Sequence, residues 1–371
     1  MSTGRVGIGV IGAGVISTQY LENMAEFPDL ELRSIADLDT DRARAQATRF
    51  SIPAWGSVDE LLADPTVEIV VDLTIPAAHQ FVNLAALAAG KHVWCEKPIA
   101  IDRDSARRQL DAAAAAGLRL AVAPDTFLGG GIQTARRIIE SGAIGAPISV
   151  RGALQTPGPD AWHPNPDFLF REGAGPLMDM GPYYLTAMTQ LVGSVVSVSA
   201  TAASPRPTRI IGSGDRAGET FPVTVPTTVE ALLRFESGAS GSLLLSADSH
   251  LERHQLEVVG TEGTLVVPDP NLFTGDLELH RADGVEVIEA QGVTTRRGTG
   301  VAELAQAIRG GRPERSPGSL AAHILDVMLS IASAAELGTT IEVTSRAVAT
   351  PPLDASWAAT DATLAVQREG T

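Results

Sequence analysis

The chain has 371 residues, with 28 Lys and Arg against 44 Asp and Glu, a formal net charge of −16, and 44% hydrophobic, 19% charged and only 4% aromatic residues. This is the make-up of a globular chain of two or three domains whose cores are built from Ala, Val, Leu and Ile, and it is too apolar for disorder. It speaks against nucleic-acid backbones and anionic membranes as partners, since both call for clustered positive charge, and the single cysteine, Cys95, rules out an internal disulfide framework or a multi-cysteine metal site.

Taken in chain order, Val6–Ile11 is a short buried-strand run followed by a glycine turn, and residues from about 15 to 26 read as a helix stopped near Pro28. Leu30–Ala36 is a strand ending in Asp37, followed by a charged helix from about Asp41 to Phe50. Glu68–Leu73 is a strand ended by Pro76, and a helix from about Ala77 to Ala89 stops at Gly90. His92–Cys95 is a strand, Asp102–Ala116 an Ala-rich helix closed by Gly117, and Leu118–Ala123 a further strand. Strands alternating with helices of this length predict parallel βαβ units and a doubly wound sheet. After about residue 145 the pattern changes. A strand at Ile148–Leu154, a Pro-rich loop and a helix from about Pro176 to Leu191 precede strands at Val195–Ala203, Thr227–Phe235, Gly241–Ser246, His254–Val259 and Thr264–Val267. The weakly patterned stretch 204–225 reads as a loop, and two late helices are expected at about 301–309 and 319–337. The expected architecture is an α/β dinucleotide-binding domain of Rossmann type over 1–124, followed by an α+β domain with a large open, mostly antiparallel sheet over 125–371.

No run reaches the ~18–20 uninterrupted apolar residues of a membrane span. The apolar start, MSTGRVGIGVIGAGV, reads as strand and turn rather than a signal peptide. Cytoplasmic residence is the expectation.

The turn Gly12-Ala13-Gly14-Val15-Ile16-Ser17 follows a strand and opens a helix. Gly12 permits the tight turn, Gly14 lets the backbone approach a pyrophosphate, and the N–H groups at Val15 and Ile16 open the helix toward the phosphates. Ser17 takes the third, small position. Asp37 ends the next strand twenty residues later, where an acid accepts hydrogen bonds from the adenosine ribose. A carboxylate there favours NAD, with Leu38 next to it, while Arg42 and Arg44 leave NADP open.

Further motifs are Thr74-Ile75-Pro76 with His79, Gly90-Lys91-His92-Val93, Glu96-Lys97-Pro98, the run Gly173–Tyr183 around Asp179, and Val259–Thr264. In this order they resemble the glucose–fructose oxidoreductase/inositol dehydrogenase/MocA (Gfo/Idh/MocA) family over the whole chain. The resemblance implies hydride transfer between a nicotinamide and a carbinol carbon of a sugar, cyclitol or related polyol. It places Lys97 beside substrate and nicotinamide, with Glu96 orienting Lys97 or lining the nicotinamide pocket. Thr74, Pro76 and His79 fall on the nicotinamide side of the sheet, His79 capping or packing there without transferring a proton. Most relatives carry Asp-x-x-x-His; this chain has Asp179-x-x-x-Tyr183, as do branches such as glucose–fructose oxidoreductase and dihydrodiol dehydrogenase.

Oxidising an alcohol needs a base as hydride leaves carbon. A free Tyr titrates near ~10, and a neighbouring Lys⁺ favours its phenolate. Lys97 and Tyr183, from different domains, are therefore the expected acid/base unit, with Asp179 hydrogen-bonding the substrate and Tyr184 the competing tyrosine. The loop Trp162-His163-Pro164-Asn165-Pro166-Asp167-Phe168 offers rings and polar tips for a sugar face, and His163 is the rival base. Asp125, at the last Rossmann strand end, is a further candidate for binding substrate or cofactor. The seven histidines are scattered, and no metal cluster is expected.

The leading reading is an NAD(P)-dependent oxidoreductase acting on a sugar, glycoside or cyclitol. A dihydrodiol dehydrogenase-like enzyme and a non-catalytic dinucleotide sensor are the alternatives. A second copy is expected to cover the open sheet, giving a homodimer or homotetramer.

Overall fold

The computed structural model describes residues 4–294, 296–347 and 350–364. The chain divides into two units. The first comprises the described parts of Met1–Gln133, Gln291–Ala322 and Thr350–Thr371, and the second Thr134–Ala290 and His323–Ala349. The division is discontinuous, unlike the single boundary expected at 124/125. The reason is packing: the chain leaves the first unit before that unit's core is covered, and late segments return to cover it.

The first unit begins β1 (Val6–Ile11), α1 (Val15–Met24), β2 (Leu30–Ala36), α2 (Thr40–Phe50), β3 (Ala54–Gly56), α3 (Val58–Ala63) and β4 (Ile69–Asp72). It continues α4 (Pro76–Ala88), β5 (His92–Cys95), α5 (Arg103–Ala116) and β6 (Leu120–Val122). The strands pair in parallel in the order β3-β2-β1-β4-β5-β6. β1 and β4 are buried at every residue, as parallel strands flanked by helices must be. The order reverses between β1 and β4, which is the switch point where open α/β sheets hold their ligands.

α6 (Gly130–Glu140) carries the chain onward. The second unit holds β7 (Pro147–Gln155), α7 (Gly175–Val192), β8 (Val195–Ala203), β9 (Thr208–Ile210), β10 (Thr220–Pro222), β11 (Thr228–Phe235) and β12 (Ser240–Ser246). It also holds β13 (Arg253–Gly260), β14 (Thr264–Val267), β15 (Leu277–Arg281) and β16 (Gly284–Ile288). After α8 (Thr299–Gly310) and α9 (Gly318–Leu337), β17 (Ile341–Glu342) closes a nine-stranded sheet ordered β16-β15-β14-β13-β7-β12-β11-β8-β17. Its only parallel pairing among the described residues is β7 with β12. β11 alternates strictly: Val229, Ala231, Leu233 and Phe235 are buried, while Glu230, Leu232 and Arg234 are exposed, as expected of a sheet with one face packed. α7 lies on β7, β11 and β12. β9 and β10 pair within the stretch expected to be loop.

α8 belongs to the first unit, where its Val301, Ala302, Leu304 and Ala305 join Ile8, Val10, Tyr20 and Trp94 in one core. At its start a Cβ on Gly300 would stand 2.0 Å from the Trp94 ring, so only glycine fits. The C-terminal segment also packs there: Leu364 N–H donates to Asp29 at 2.7 Å, and Trp357 Nε1 to Gln306 at 2.7 Å. α9 is long and apolar enough to cross a bilayer, but Leu325, Val327, Met328 and Ile331 are buried within the fold.

Candidate functional site

Three helices of the first unit begin on a side-chain cap: Asp39 for α2, Ser57 for α3 and Asp102 for α5. The helices that follow β1 and β4, α1 and α4, have none; Gly14 and Ile75 stand at the cap positions. These two N-termini flank the switch point, and a helix N-terminus is an anion site. Gly12 has φ +103°, and a Cβ there would meet the Leu73 carbonyl carbon and oxygen at 2.7 Å. The fold itself requires that glycine. At Gly14 φ is −75° and an added Cβ meets nothing within 4 Å. The open space above Gly14 is the cradle a pyrophosphate needs. Ser17 is fully buried and its hydroxyl donates to Gly14 O at 2.7 Å, filling the small third position.

Asp37 binds the turn from the side. Its Oδ2 accepts Ala13 N–H at 2.7 Å and its Oδ1 accepts Asp39 N–H at 2.8 Å. Arg42 pairs with Asp39 at 3.0 Å and stands 3.9 Å from Asp37. Around this turn large apolar side chains lie open: Leu38 is 101%, Val15 91% and Ile75 68% exposed. Apolar surface left bare at three adjacent strand ends marks ligand coverage. Sequence reasoning missed Leu38 and Ile75 in this role; the available signal was an apolar residue directly after a strand-end acid or a strand-end Thr.

Beyond β4 and β5 the strand ends are tied from below. Thr74 donates its N–H and hydroxyl to Asp72 Oδ1 at 3.0 and 2.6 Å. His79 is fully buried, its Nδ1 2.7 Å from Pro98 O and its Nε2 3.1 Å from Thr74 O. Glu96 is buried; its Oε1 accepts the Tyr20 hydroxyl at 2.7 Å and its Oε2 accepts Lys97 N–H at 3.0 Å. Burial and the neighbouring Glu96 and Asp125 push the Tyr20 hydroxyl well above its ordinary range. Lys97 is half-buried and its peptide bond to Pro98 is cis. Tyr20 and its Glu96 contact were not read from the sequence; a tyrosine on the core face of a helix, needing a partner for its hydroxyl, was the hint.

Asp72, His79 and Cys95 hold donor atoms within 4.8 Å of one another. Both His79 nitrogens already face carbonyls, the Cys95 thiol donates to Glu96 O at 3.0 Å, and burial pushes that thiol well up. This donor set is committed to the fold and does not suit a metal.

Asp125 takes a different place from the one expected. It is fully buried, and its Oδ2 accepts the N–H groups of Gly298 and Gly300 at 2.8 and 3.2 Å, with Arg297 at 3.7 Å. It serves the start of α8 rather than a substrate. Burial pushes its carboxyl up and Arg297 opposes that shift.

In the second unit, Asp179 and Tyr183 stand one turn apart on α7, Asp179 half-buried and Tyr183 7% exposed. The competitor Tyr184 faces the sheet: its hydroxyl donates to Ala153 O at 3.4 Å, and a Cβ at Gly152 would stand 3.0 Å from its ring. The loop before α7 is braced by Arg209, which is buried, pairs with Asp160 at 2.7 Å and with Asp248, and lies over the Phe170 ring. Arg216 grips Asp167 with two nitrogens at 2.9 and 3.1 Å. On this frame Trp162 and Phe168 stay 67% and 58% exposed, each with its ring centroid 5.6 Å from that of His163. His163 Nδ1 accepts Asn165 N–H at 3.0 Å.

Residues 6–123 match the model of an oxidoreductase family with an NAD-binding Rossmann fold, and residues 132–266 match the GFO/IDH/MocA C-terminal domain. Trans-1,2-dihydrobenzene-1,2-diol dehydrogenase of Mus musculus is 30% identical over 258 residues, covering 69% of this chain and 72% of the relative. Levoglucosan dehydrogenase of Pseudarthrobacter phenanthrenivorans is 29% identical over 323 residues, 79% of each chain. The crystal structure of an NAD-binding oxidoreductase from Klebsiella pneumoniae superposes with a TM-score of 0.80 at 26% identity, covering 92% of this chain and all of the other. With the glycine cradle, the two uncapped helices and residues 6–123 and 132–266 matched, this protein belongs to the Gfo/Idh/MocA family of NAD-binding oxidoreductases.

Proposed function

We propose that this enzyme moves a hydride between NAD and the carbinol or carbonyl carbon of a sugar, glycoside or cyclitol. The observation that carries the reading is the cradle over Gly14 between two uncapped helices, in the same unit as Lys97, whose backbone is fixed by buried Glu96. Gly12, Gly14, Val15 and Ile16 hold the pyrophosphate, Asp37 the adenosine ribose, Leu38 and Ile75 the adenine, and Thr74 and Pro76 the nicotinamide side. When bound, the dinucleotide supplies a hydride acceptor or donor. Lys97 stabilises negative charge on the reacting oxygen, and Tyr183 takes or gives the hydroxyl proton. Asp179 accepts a hydrogen bond from a neighbouring substrate hydroxyl, and Trp162 with His163 offers a stacking face and a polar tip. His79 and Glu96 act through Thr74 and Lys97 rather than by touching the dinucleotide.

The likeness to levoglucosan dehydrogenase extends further along both chains than the likeness to the dihydrodiol enzyme, which favours the sugar reading. The dihydrodiol likeness keeps that substrate class as the second reading. A panel of pyranosides, anhydrosugars, inositols and trans-dihydrodiols, followed by absorbance at 340 nm with NAD and NADP, decides between them. Turnover of dihydrodiols alone overturns the sugar reading. Tight NADH binding with no turnover anywhere in the panel points to a sensor.

A further inference from the structure

We propose that His79 is a positioning residue that fixes two turns of the dinucleotide face at once, Thr74–Pro76 through Nε2 and Lys97–Pro98 through Nδ1. The proposal rests on the roles given above to Thr74, Pro76 and Lys97. His79 lies in α4, just past its first turn, directly under the ends of β4 and β5, and no part of it reaches solvent. Each ring nitrogen has a backbone carbonyl as its neighbour, Pro98 O at 2.7 Å and Thr74 O at 3.1 Å, so the ring holds both only with an N–H on each nitrogen, the Asp72 carboxylate within 4.8 Å supplying the balancing charge. No other histidine among the described residues has carbonyl partners on both nitrogens. Proline has no N–H, so its carbonyl is the only backbone group by which residue 98 can be held, and His79 holds it.

The surrounding buried groups extend the same grip. Asn83, one turn further along α4, donates to Gln109 at 2.8 Å, and Gln109 donates to Ile99 O at 3.1 Å. Glu96 holds Lys97 N–H on the other side. Asp72, within 4.8 Å of the ring, takes both Thr74 donors. The lysine's backbone is therefore clamped before and after its own Cα, and the clamp is shared with the turn that follows β4. A small misplacement of a reacting group costs far more in rate than in stability, which gives such a clamp its use.

Two substitutions separate the two arms. Asn keeps a donor where Nδ1 stood, and Gln keeps one where Nε2 stood; Phe keeps neither. Lys97 can be followed without a substrate, because the chain has only two lysines and the other, Lys91, is buried with its Nζ on the carbonyls of Asp64 and Val67. The readouts are the Kd for NADH by fluorescence titration, the pH profile of Lys97 acylation in ligand-free protein read by mass spectrometry, and the melting temperature. His79→Asn is expected to keep the Lys97 profile and weaken NADH binding about five- to tenfold, the size of one lost hydrogen bond. His79→Gln is expected to keep NADH binding within about twofold and change the acylation rate about five- to tenfold. His79→Phe is expected to change both. If Asn and Gln behave alike in both readouts, or only the melting temperature moves, the proposal is overturned. If none of the variants folds, wild-type protein labelled with 15N-histidine decides. Two solvent-protected N–H resonances from one imidazole support the clamp, and one or none from every ring overturns it. Full turnover by Lys97→Ala would remove the catalytic reading of Lys97 while leaving both His79 readouts as they stand.

Discussion

Replacing Gly14 by alanine tests whether a ligand, rather than the fold, requires that glycine. With φ −75° the backbone accepts alanine, and the new methyl touches no atom within 4 Å. Alanine narrows the unfolded ensemble by about 0.4–1 kcal/mol and caps a helix less well than glycine by about 0.5–1 kcal/mol. These nearly cancel, so the melting temperature should move by less than about 2–4 °C. The methyl projects into the space above the α1 N-terminus, where the phosphates must come within hydrogen-bonding distance of backbone N–H groups. Losing one charge-assisted bond there costs about 1.5–3 kcal/mol, or about 10–150-fold in the Kd for NADH. Gly12→Ala is the control with the opposite signature. Its φ of +103° and the Leu73 backbone at 2.7 Å cost about 1–3 kcal/mol of strain and about 1–3 kcal/mol of overpacking. That protein should melt several degrees lower before any ligand is added. Fluorescence titration with NADH and differential scanning calorimetry read both effects. Unchanged NADH binding by Gly14→Ala would refute the reasoning, because no phosphate would then pass over this turn.

Lys97→Ala and Tyr183→Phe should each lower turnover of the active panel substrate by about 10²–10⁴ with NADH binding retained, and the double variant should lose far less than the product. Near-full activity in Tyr183→Phe together with none in His163→Ala would transfer the proton role to the loop histidine. Asp37→Ala should narrow a preference for NAD over NADP worth about 1–3 kcal/mol; paired titrations check it, and equal binding by the wild type would turn attention to Arg42. Burial pulls His323 down from 6.5 to about 4, its Nε2 accepting Val195 N–H at 3.2 Å and its Nδ1 lying 2.9 Å from Ser345 Oγ. A lowered folded pKa means the stabilisation is complete above about pH 6.5 and is lost as pH falls toward about 4, by up to about 3 kcal/mol. Urea midpoints across that range should fall, and His323→Asn should flatten the slope while lowering stability at pH 7.5. Light scattering should show a dimer or tetramer, the exposed β11 face of Glu230, Leu232 and Arg234 being covered by a second copy; a clean 38.7 kDa species overturns this.

The strands around the switch point were legible because parallel buried strands are uninterrupted apolar runs, and the glycine turn followed them at a fixed spacing. The hairpin of β15 and β16 turns through Ala282-Asp283, with Gly284 already paired to Arg281, so its Asp-Gly sits one place beyond the usual turn dipeptide and was a weaker signal. The pairing of β9 and β10 was not legible, since each is three residues long and one ends in Pro222. Asp125 shows a deeper limit. An acid after a Rossmann strand looks the same whether it meets a ligand or the start of α8, and that helix begins 174 residues later in the chain. One compositional fact gains meaning beside the structure. Basic charge comes almost wholly from arginine, and the two lysines stand only at 91 and 97. An amine buried on two carbonyls, and the compact point charge proposed for Lys97 beside the reacting oxygen, are both tasks a guanidinium does poorly.

The late return of α8 to the first unit bears on how the chain is made. All six strands of that sheet are complete by Val122, but the helix that covers Trp94 and Tyr20 begins at Thr299. At about 5–20 residues per second, synthesis takes roughly 9–35 s to cross that gap. Throughout it the nascent unit shows Tyr20 and Trp94 without their covering helix, a surface for chaperones or for wrong partners. Leu364, which donates to Asp29, emerges later still. A gene fragment stopped at residue 124 would therefore give a sheet with one side of its core open, and domain swaps in this protein must carry Gln291–Ala322 and the Thr350 segment along with the N-terminal strands.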